Sequence, residues 1–142
     1  MDGDLRLRHR RARAEDLDAI VAINRASAIA AYAPIFGDAP YPEEGVRRRY
    51  ARLLAEATVF IAEHGYAAAR PGRVEALYVV PEAWGTGLAD ELYAAVSEVA
   101  GSPATLWVLE ANARGRRFWE RRGWHPSGER DESGEPELQY TR

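Results

Sequence analysis

The sequence predicts a single α/β domain with a mixed, α+β-type sheet whose centre is a parallel strand-helix-strand crossover. Three observations predict it. The run Val74-Glu75-Ala76-Leu77-Tyr78-Val79-Val80 is apolar and β-branched and stops at Pro81. Behind it, Gly85-Thr86-Gly87 opens a segment in which Leu88, Leu92, Ala95, Val96 and Val99 recur at helical spacing. Ser102-Pro103 breaks that segment, and Thr105-Leu106-Trp107-Val108-Leu109 returns as a strand. At 142 residues the chain has room for one buried core, so residues 1–142 are read as one domain.

The remaining elements lie on either side of this crossover. Alternation in Leu5-Arg6-Leu7-Arg8 predicts a first strand, and the spacing of Leu17, Ile20, Val21 and Asn24 predicts a helix from about Glu15. A loop from Pro34 to Pro42 separates it from a second helix with Val46, Tyr50, Leu53 and Leu54 on one face and Arg47, Arg48, Arg49 and Arg52 elsewhere. Thr58 to Ala62 reads as a strand, His64-Gly65 as a turn, and Tyr66 to Ala69 as a short third strand. Beyond the crossover, 112–122 reads as a short helix ending at Gly123, and a last strand lies around Leu138 to Tyr140.

Composition narrows the chemistry. The hydrophobic share of 46% and charged share of 29% are those of a globular protein, and no apolar run approaches the roughly 20 residues of a membrane span. There is no cysteine, and His9, His64 and His125 are scattered, so thiol nucleophiles, disulfides and a metal site are not expected. All 19 basic residues are arginine, which excludes a Schiff-base lysine and a Walker-type phosphate loop. A net charge of −3 argues against nonspecific nucleic-acid binding, and the acidic Met1-Asp2-Gly3-Asp4 start lacks the apolar region of a secretory signal, so the expected location is cytoplasmic.

The glycine loop has two readings. The first amides of a helix lack intrahelical partners and carry the positive end of its dipole, so a phosphate there accepts several hydrogen bonds, and Gly85 and Gly87 remove the Cβ atoms that would hold it away. Thr86 offers a hydroxyl donor. The other reading is a strand-to-helix turn that needs positive φ. A dinucleotide fingerprint fails because Asp90 stands where its third glycine belongs; an acid there suits the helix dipole and is harmless to a bound anion if it points outward.

The stretch Leu77-Tyr78-Val79-Val80-Pro81-Glu82-Ala83-Trp84-Gly85-Thr86-Gly87-Leu88-Ala89 resembles the acetyl-CoA-binding motif of the GNAT superfamily, in which Arg or Gln and then Gly-x-Gly-x-Gly/Ala follow a strand ending in Val-x-Pro. Trp84 occupies the Arg/Gln position. A second stretch, Leu106 to Asn112 with Phe118-Trp119-Glu120-Arg121-Arg122-Gly123-Trp124, is similar to the later motif of that superfamily, an Asn followed by Tyr and then Gly-Phe, with Trp119 at the tyrosine position. Arg11 to Ile20 resembles the family's opening strand and helix, and Pro136 to Tyr140 its closing strand.

The resemblance implies an acyl-CoA N-acyltransferase fold in which the strands at 74–80 and 105–109 are parallel and splayed. It implies acetyl-CoA as cosubstrate, with backbone groups of Leu77, Tyr78 and Val79 along the thioester and pantetheine, and Gly85, Thr86, Gly87, Leu88, Ala89 and Asp90 around the pyrophosphate. Asn112 and Trp119 fall on its cofactor arm. Arg114, Arg116 and Arg117 either approach the nucleotide phosphates or form a solvated helix face. The loop with Tyr32, Phe36 and Tyr41 lies where the family forms its acceptor pocket. The family's strand pair between Glu63 and Glu75 is shortened here, and a homodimer is among its common assemblies.

Transfer to an amine needs a proton acceptor, oxyanion donors and often a proton for the leaving thiolate. Alternation puts Glu75 on the face of Leu77 and Val79, which makes it the candidate base; a salt bridge to a neighbouring arginine is the competing reading. Glu63 and His64 are weaker candidates. An indole N–H donates a hydrogen bond but is no acid near neutral pH, so Trp119 does not inherit the tyrosine's proton-donating role. Two functions are implied: an N-acetyltransferase acting on a primary amine of a small molecule or protein by direct attack, or a noncatalytic CoA-binding module of the same fold.

Overall fold

The computed structural model describes residues 7–142. In chain order its elements are β1 (Arg10–Arg11), α1 (Leu17–Phe36), α2 (Glu43–Glu56), β2 (Thr58–Ala62), β3 (Gly65–Arg70), β4 (Arg73–Val79), α3 (Leu88–Ala100), β5 (Thr105–Leu109), α4 (Ala113–Glu120), β6 (His125–Asp131) and β7 (Glu137–Thr141). The strands form one mixed sheet of seven in the order β1-β2-β3-β4-β5-β7-β6, and only β4 and β5 pair in parallel.

Period-2 patterning sets what each face of the sheet buries. Tyr66 on β3 pairs directly opposite Tyr78 on β4. The Tyr66 hydroxyl meets Asn24 of α1 and Tyr50 of α2, so this face carries the first two helices. The other face takes α3, whose Leu88, Leu92 and Val96 are buried. Each such side chain contributes about 1.5–3 kcal/mol relative to exposure. Gly65 lets α3 lie close: a Cβ there would stand 2.9 Å from the Tyr78 carbonyl oxygen and 3.1 Å from Leu92 Cδ1.

Several expectations change. Leu5 and Arg6 lie outside the described residues, Leu7 and Arg8 are not in a strand, and the first strand is Arg10–Arg11, which pairs with Ile61 and Phe60. The first helix passes through Pro34 to Phe36, because a proline in the last turn forfeits one hydrogen bond without ending the helix; the stop is Gly37 at φ 60. Over Ala14–Phe36 the mean hydropathy reaches 1.4, long and apolar enough by composition to cross a membrane, contrary to the sequence expectation. Its inner residues Ile20, Ile23, Asn24 and Ser27 are buried in the fold. The third strand runs six residues rather than four, since Gly65 begins it and Arg70 ends it. Strand β6 had no sequence signal: every residue of His125–Asp131 is exposed, so no alternation marks it.

What positions the site is the join between β4 and β5. The strands pair only at Arg73 and Thr105, supported by the Thr105 N–H donating to the Gly72 carbonyl at 3.0 Å. From that point they diverge. On its other edge β4 pairs with β3 through Val79, while β5 pairs along its whole length with β7. A register shift between Ala68 and Ala69 leaves Glu75 without a partner on β3 and so makes it the extra residue of a β-bulge.

Near the chain start, Asp16 accepts hydrogen bonds from the Arg10 guanidinium and the Arg13 amide, which hold its carboxyl at about 2, below the ordinary 3.8. A depressed carboxyl stabilises the fold fully above its unfolded value and loses that contribution as pH falls through the folded one. Denaturant unfolding followed from pH 5 to pH 2 is expected to show a fall in stability below about pH 4 that is shallower in Asp16→Asn, the remainder coming from other lowered carboxyls such as Glu91. Gly65→Val is expected to cost about 1–3 kcal/mol in urea unfolding, since the backbone oxygen of Tyr78 cannot give way.

Candidate functional site

Because β4 and β5 part after one pair, the space between them becomes a cleft of about 930 Å³. Its walls are β4 from Arg73 to Val79, β5 from Leu106 to Leu109, the α1 residues Ser27, Ala31, Tyr32 and Phe36, and Asn112, Arg114, Phe118 and Trp119 at and within α4. The sequence candidates Glu75, Leu77, Tyr78, Val79, Ala89, Asn112 and Trp119 all line it. Beyond Arg73, no ladder to β5 engages the β4 edge that faces the cleft, so backbone donors and acceptors are left for a ligand with amide groups of its own.

At the end of β4 the chain makes a single helical turn over Pro81–Ala83 and enters the glycine loop. Gly85 has φ 80 and Gly87 φ 87, the left-handed region that favours glycine, and Gly87 is the N-cap of α3. The turn that needs positive φ is therefore present at the N-terminus of α3. A Cβ on Gly85 would meet nothing within 4 Å, so the loop is open on its outer side, as an anion cradle requires. Thr86 is not a free donor: its hydroxyl gives its hydrogen to the Ala83 carbonyl at 2.6 Å. Leu88 is a core residue, and only its amide faces the loop. Asp90 points outward to Arg122 and is 70% exposed, clear of the cradle.

One cation does reach the loop, and no sequence pattern marked it. Arg8 donates through Nη1 to the Thr86 carbonyl at 3.3 Å, and its guanidinium is held by Glu91 at 3.3 Å. Glu91 also accepts the backbone amides of Arg8 and His9 and contacts His9 Nδ1 at 2.5 Å. Burial raises the pKa of this carboxyl, and those hydrogen bonds more than offset it, leaving the group below its ordinary value.

Trp84, at the position where the motif carries Arg or Gln, donates its indole N–H to the Val79 carbonyl at 3.0 Å. The Arg114 guanidinium stacks 3.7 Å from its ring centre. Arg114 is exposed on the face of α4 while it stacks on this ring, and Arg116 is drawn to the Tyr140 hydroxyl and the Glu110 carbonyl. Asn112 caps α4, its Oδ1 accepting from the Gly115 amide at 3.0 Å. Trp119 is 8% exposed and packs among Phe118, Tyr93 and Trp124. The indole nitrogens of Trp84 and Trp124 donate to Val79 and Tyr93, whereas that of Trp119 has no acceptor among the described residues.

Glu75 lies on the cleft wall, its side chain 9% exposed, with Oε2 2.7 Å from Arg70 Nε and Oε1 3.4 Å from Arg73 Nε. The ion pair that competes with the base reading is therefore present. Strict alternation with Leu77 and Val79 does not extend to this residue, because the bulge interrupts it. Glu63 and His64 line a separate cleft of about 270 Å³ with Arg8 and Thr86, and neither borders the main one.

On the α1 side, Tyr32 and Tyr78 share a hydroxyl contact at 3.2 Å. Burial pushes the Tyr32 phenol far above its ordinary value, so it stays a protonated donor. Behind this pair, Asn24 donates to Tyr66 at 2.7 Å and Tyr66 to Tyr50 at 2.8 Å, while Tyr41 donates to Asn24. Tyr32 and Phe36 thus face the cleft, and Tyr41 anchors its loop instead. The buried tyrosine network escaped sequence reasoning; its one visible sign was Asn24 on an otherwise apolar helix face.

Comparison with known proteins agrees with this geometry. The family model described as Acetyltransferase (GNAT) family matches residues 28–124. The solution structure of apo-form YjaB from Escherichia coli has a TM-score of 0.75 at 22% identity, covering 94% of this chain and 95% of that one. A GCN5-related N-acetyltransferase from Rhodopseudomonas palustris gives 0.77 at 21%, covering 94% and 93%. The PaiA N-acetyltransferase from Thermoplasma acidophilum, solved in complex with coenzyme A, gives 0.71 at 17%, covering 94% and 97%. No curated protein sequence matches the chain. With the family model running from the later turns of the first helix through the splayed strands and the glycine loop to the end of α4, the chain belongs to the GNAT acetyltransferase family.

Proposed function

We propose that the protein is an acetyl-CoA-dependent N-acetyltransferase that delivers the acetyl group to a primary amine by direct attack, in the cytoplasm. The observation that carries this reading is the cleft between β4 and β5, whose lining reaches Trp84 and Ala89 on either side of the glycine loop at the N-terminus of α3. That arrangement suits a ligand with an amide-bearing arm and a pyrophosphate head. When bound there, acetyl-CoA supplies an activated acetyl thioester.

The chain's own residues then divide the work. Backbone amides from Gly85 to Ala89 hold the pyrophosphate, and the free edge of Leu77 and Tyr78 pairs with the arm. The Val79 carbonyl is taken by Trp84, which fixes the loop instead of the ligand. Glu75 accepts the proton of the incoming amine, and Arg70 and Arg73 hold its carboxylate in place. The N–C bond forms, the C–S bond breaks, and the proton given up by the amine is balanced by one taken from solvent by the thiolate. Trp119 directs its unpaired N–H toward the departing sulfur as a hydrogen-bond donor and transfers no proton. A thiol of pKa roughly 8.5 leaves well enough without a strong acid. With no cysteine in the chain, no acyl-cysteine intermediate forms.

A second reading, a noncatalytic CoA-binding module, is favoured by the same Trp119; it predicts binding without turnover of any amine.

Isothermal titration is expected to show saturable binding of acetyl-CoA that Gly87→Trp abolishes, since the loop then carries a bulky side chain at positive φ. No binding to the wild type would end the transferase reading. Glu75→Gln is expected to lower kcat roughly 100-fold with CoA affinity unchanged. A lower melting temperature with kcat intact would instead assign Glu75 to the ion pair alone.

A further inference from the structure

The end of the cleft remote from the glycine loop has a charge pattern that acetyl-CoA does not use. Arg49 projects from α2 into the cleft lining, and its Nη2 donates to the Glu75 carbonyl at 2.8 Å. No carboxylate among the described residues forms an ion pair with it. The Glu75 carboxylate is already engaged by Arg70 and Arg73 and Arg49 bonds the same residue's backbone carbonyl, so three guanidinium groups meet one carboxylate's charge and leave an excess of positive charge there.

The phosphates of acetyl-CoA are too far away to be the missing anion. Glu75 lies four positions before the end of β4, roughly 13 Å by strand rise, and the glycine loop begins beyond that. Arg49 also comes from the α1 and α2 face of the sheet, whereas the loop opens the helix on the opposite face. The pantetheine arm between the two carries no charge.

Two neighbours point to what fills the place. Ser27 is 4% exposed, lines the same cleft, and its Oγ has no hydrogen-bond partner. A buried hydroxyl left unpaired is costly unless a ligand completes it. On the far wall Glu137 lines the cleft and adds to the field that keeps Tyr32 protonated. The lining is therefore polarised, cationic at Arg49 and anionic at Glu137, with the apolar Ala31 and Phe36 beside Tyr32 between them.

Resting on the transferase reading above, we propose that the acceptor is a small amino acid, a primary amine that also bears a carboxylate, and that Arg49 with Ser27 holds the carboxylate. A guanidinium presents paired donors that match a carboxylate, and a charge-assisted pair of this kind in a partly enclosed site sets both affinity and orientation. Because Arg49 already touches Glu75, a carboxylate held there keeps the amine of a small amino acid close to the candidate base.

The test is a titration of the full chain, with and without saturating CoA, against each of the twenty common amino acids. Every binder is then compared with its decarboxylated amine and with its amide. The expected result is at least one amino acid that binds about 10- to 100-fold more tightly than its decarboxylated counterpart. Arg49→Gln is expected to erase that difference, Arg49→Lys to restore part of it, and Ser27→Ala to reduce it. Arg52→Gln, an equal loss of charge on an exposed position of α2, is expected to leave it unchanged. Thermal melts establish that each variant folds.

Acetylation assays with the same pairs should show the difference mainly in KM. Decarboxylated amines binding as well as the acids, no amino acid binding at all, or Arg49→Gln and Arg52→Gln acting alike would overturn the proposal. Failure of the transferase reading looks different: amino acids bind through Arg49, but no acetyl group is transferred.

Discussion

One backbone join governs the molecule. Arg73 and Thr105 are the only paired residues between β4 and β5, and the Thr105 amide bonded to the Gly72 carbonyl is the pin on which the two strands turn away from each other. Had the ladder continued, β4 would have both edges satisfied and the centre of the sheet would be closed. Because it stops, the most buried part of the sheet carries unused backbone hydrogen-bonding capacity and a volume large enough for a ligand. The two halves are otherwise ordinary antiparallel sheet, β1 to β4 on one side and β5, β7 and β6 on the other. Their separate completeness is what lets the gap persist without the fold collapsing into it.

The chemistry is distributed along that gap by the order of the chain. Both strands run in the same direction from the pin, so the open end receives the segments that succeed them: the glycine loop and α3 after β4, and α4 after β5. The groups near the pin come from elsewhere, namely Arg49 from α2 and Arg70 from β3, with Glu75 displaced from its ladder by the bulge. The amides at the N-terminus of α3 and the guanidinium groups beside Glu75 thereby stand at opposite ends of one cleft. The apolar and phenolic wall of α1 spans the interval.

The parts that the sequence disclosed are those whose signals are local. The β4 run, its proline stop, the paired glycines and the period of α3 occupy one continuous stretch, and the structure matches it to within a residue or two. The parts it hid depend on residues far apart in the chain. Tyr66 meets Tyr50 and Asn24 across 16 and 42 positions, and nothing in any of the three neighbourhoods announces the others. Strand β6, written His125-Pro126-Ser127-Gly128-Glu129-Arg130-Asp131, has no buried face and so no alternation to read. The side of the strand on which Glu75 lies was hidden by a single unpaired residue, since a bulge changes parity without altering composition.

The stack of Arg114 on Trp84 joins the segments that come after β4 and β5, and so it bridges the open end of the gap. An exposed cation–π contact is worth only about 0.5–1 kcal/mol. A tie of that strength is comparable to thermal energy, so the segments after β4 and β5 are held together only loosely at this end. Trp84, standing where the family motif carries Arg or Gln, thus ties the glycine loop both to the end of β4 and across the gap to α4.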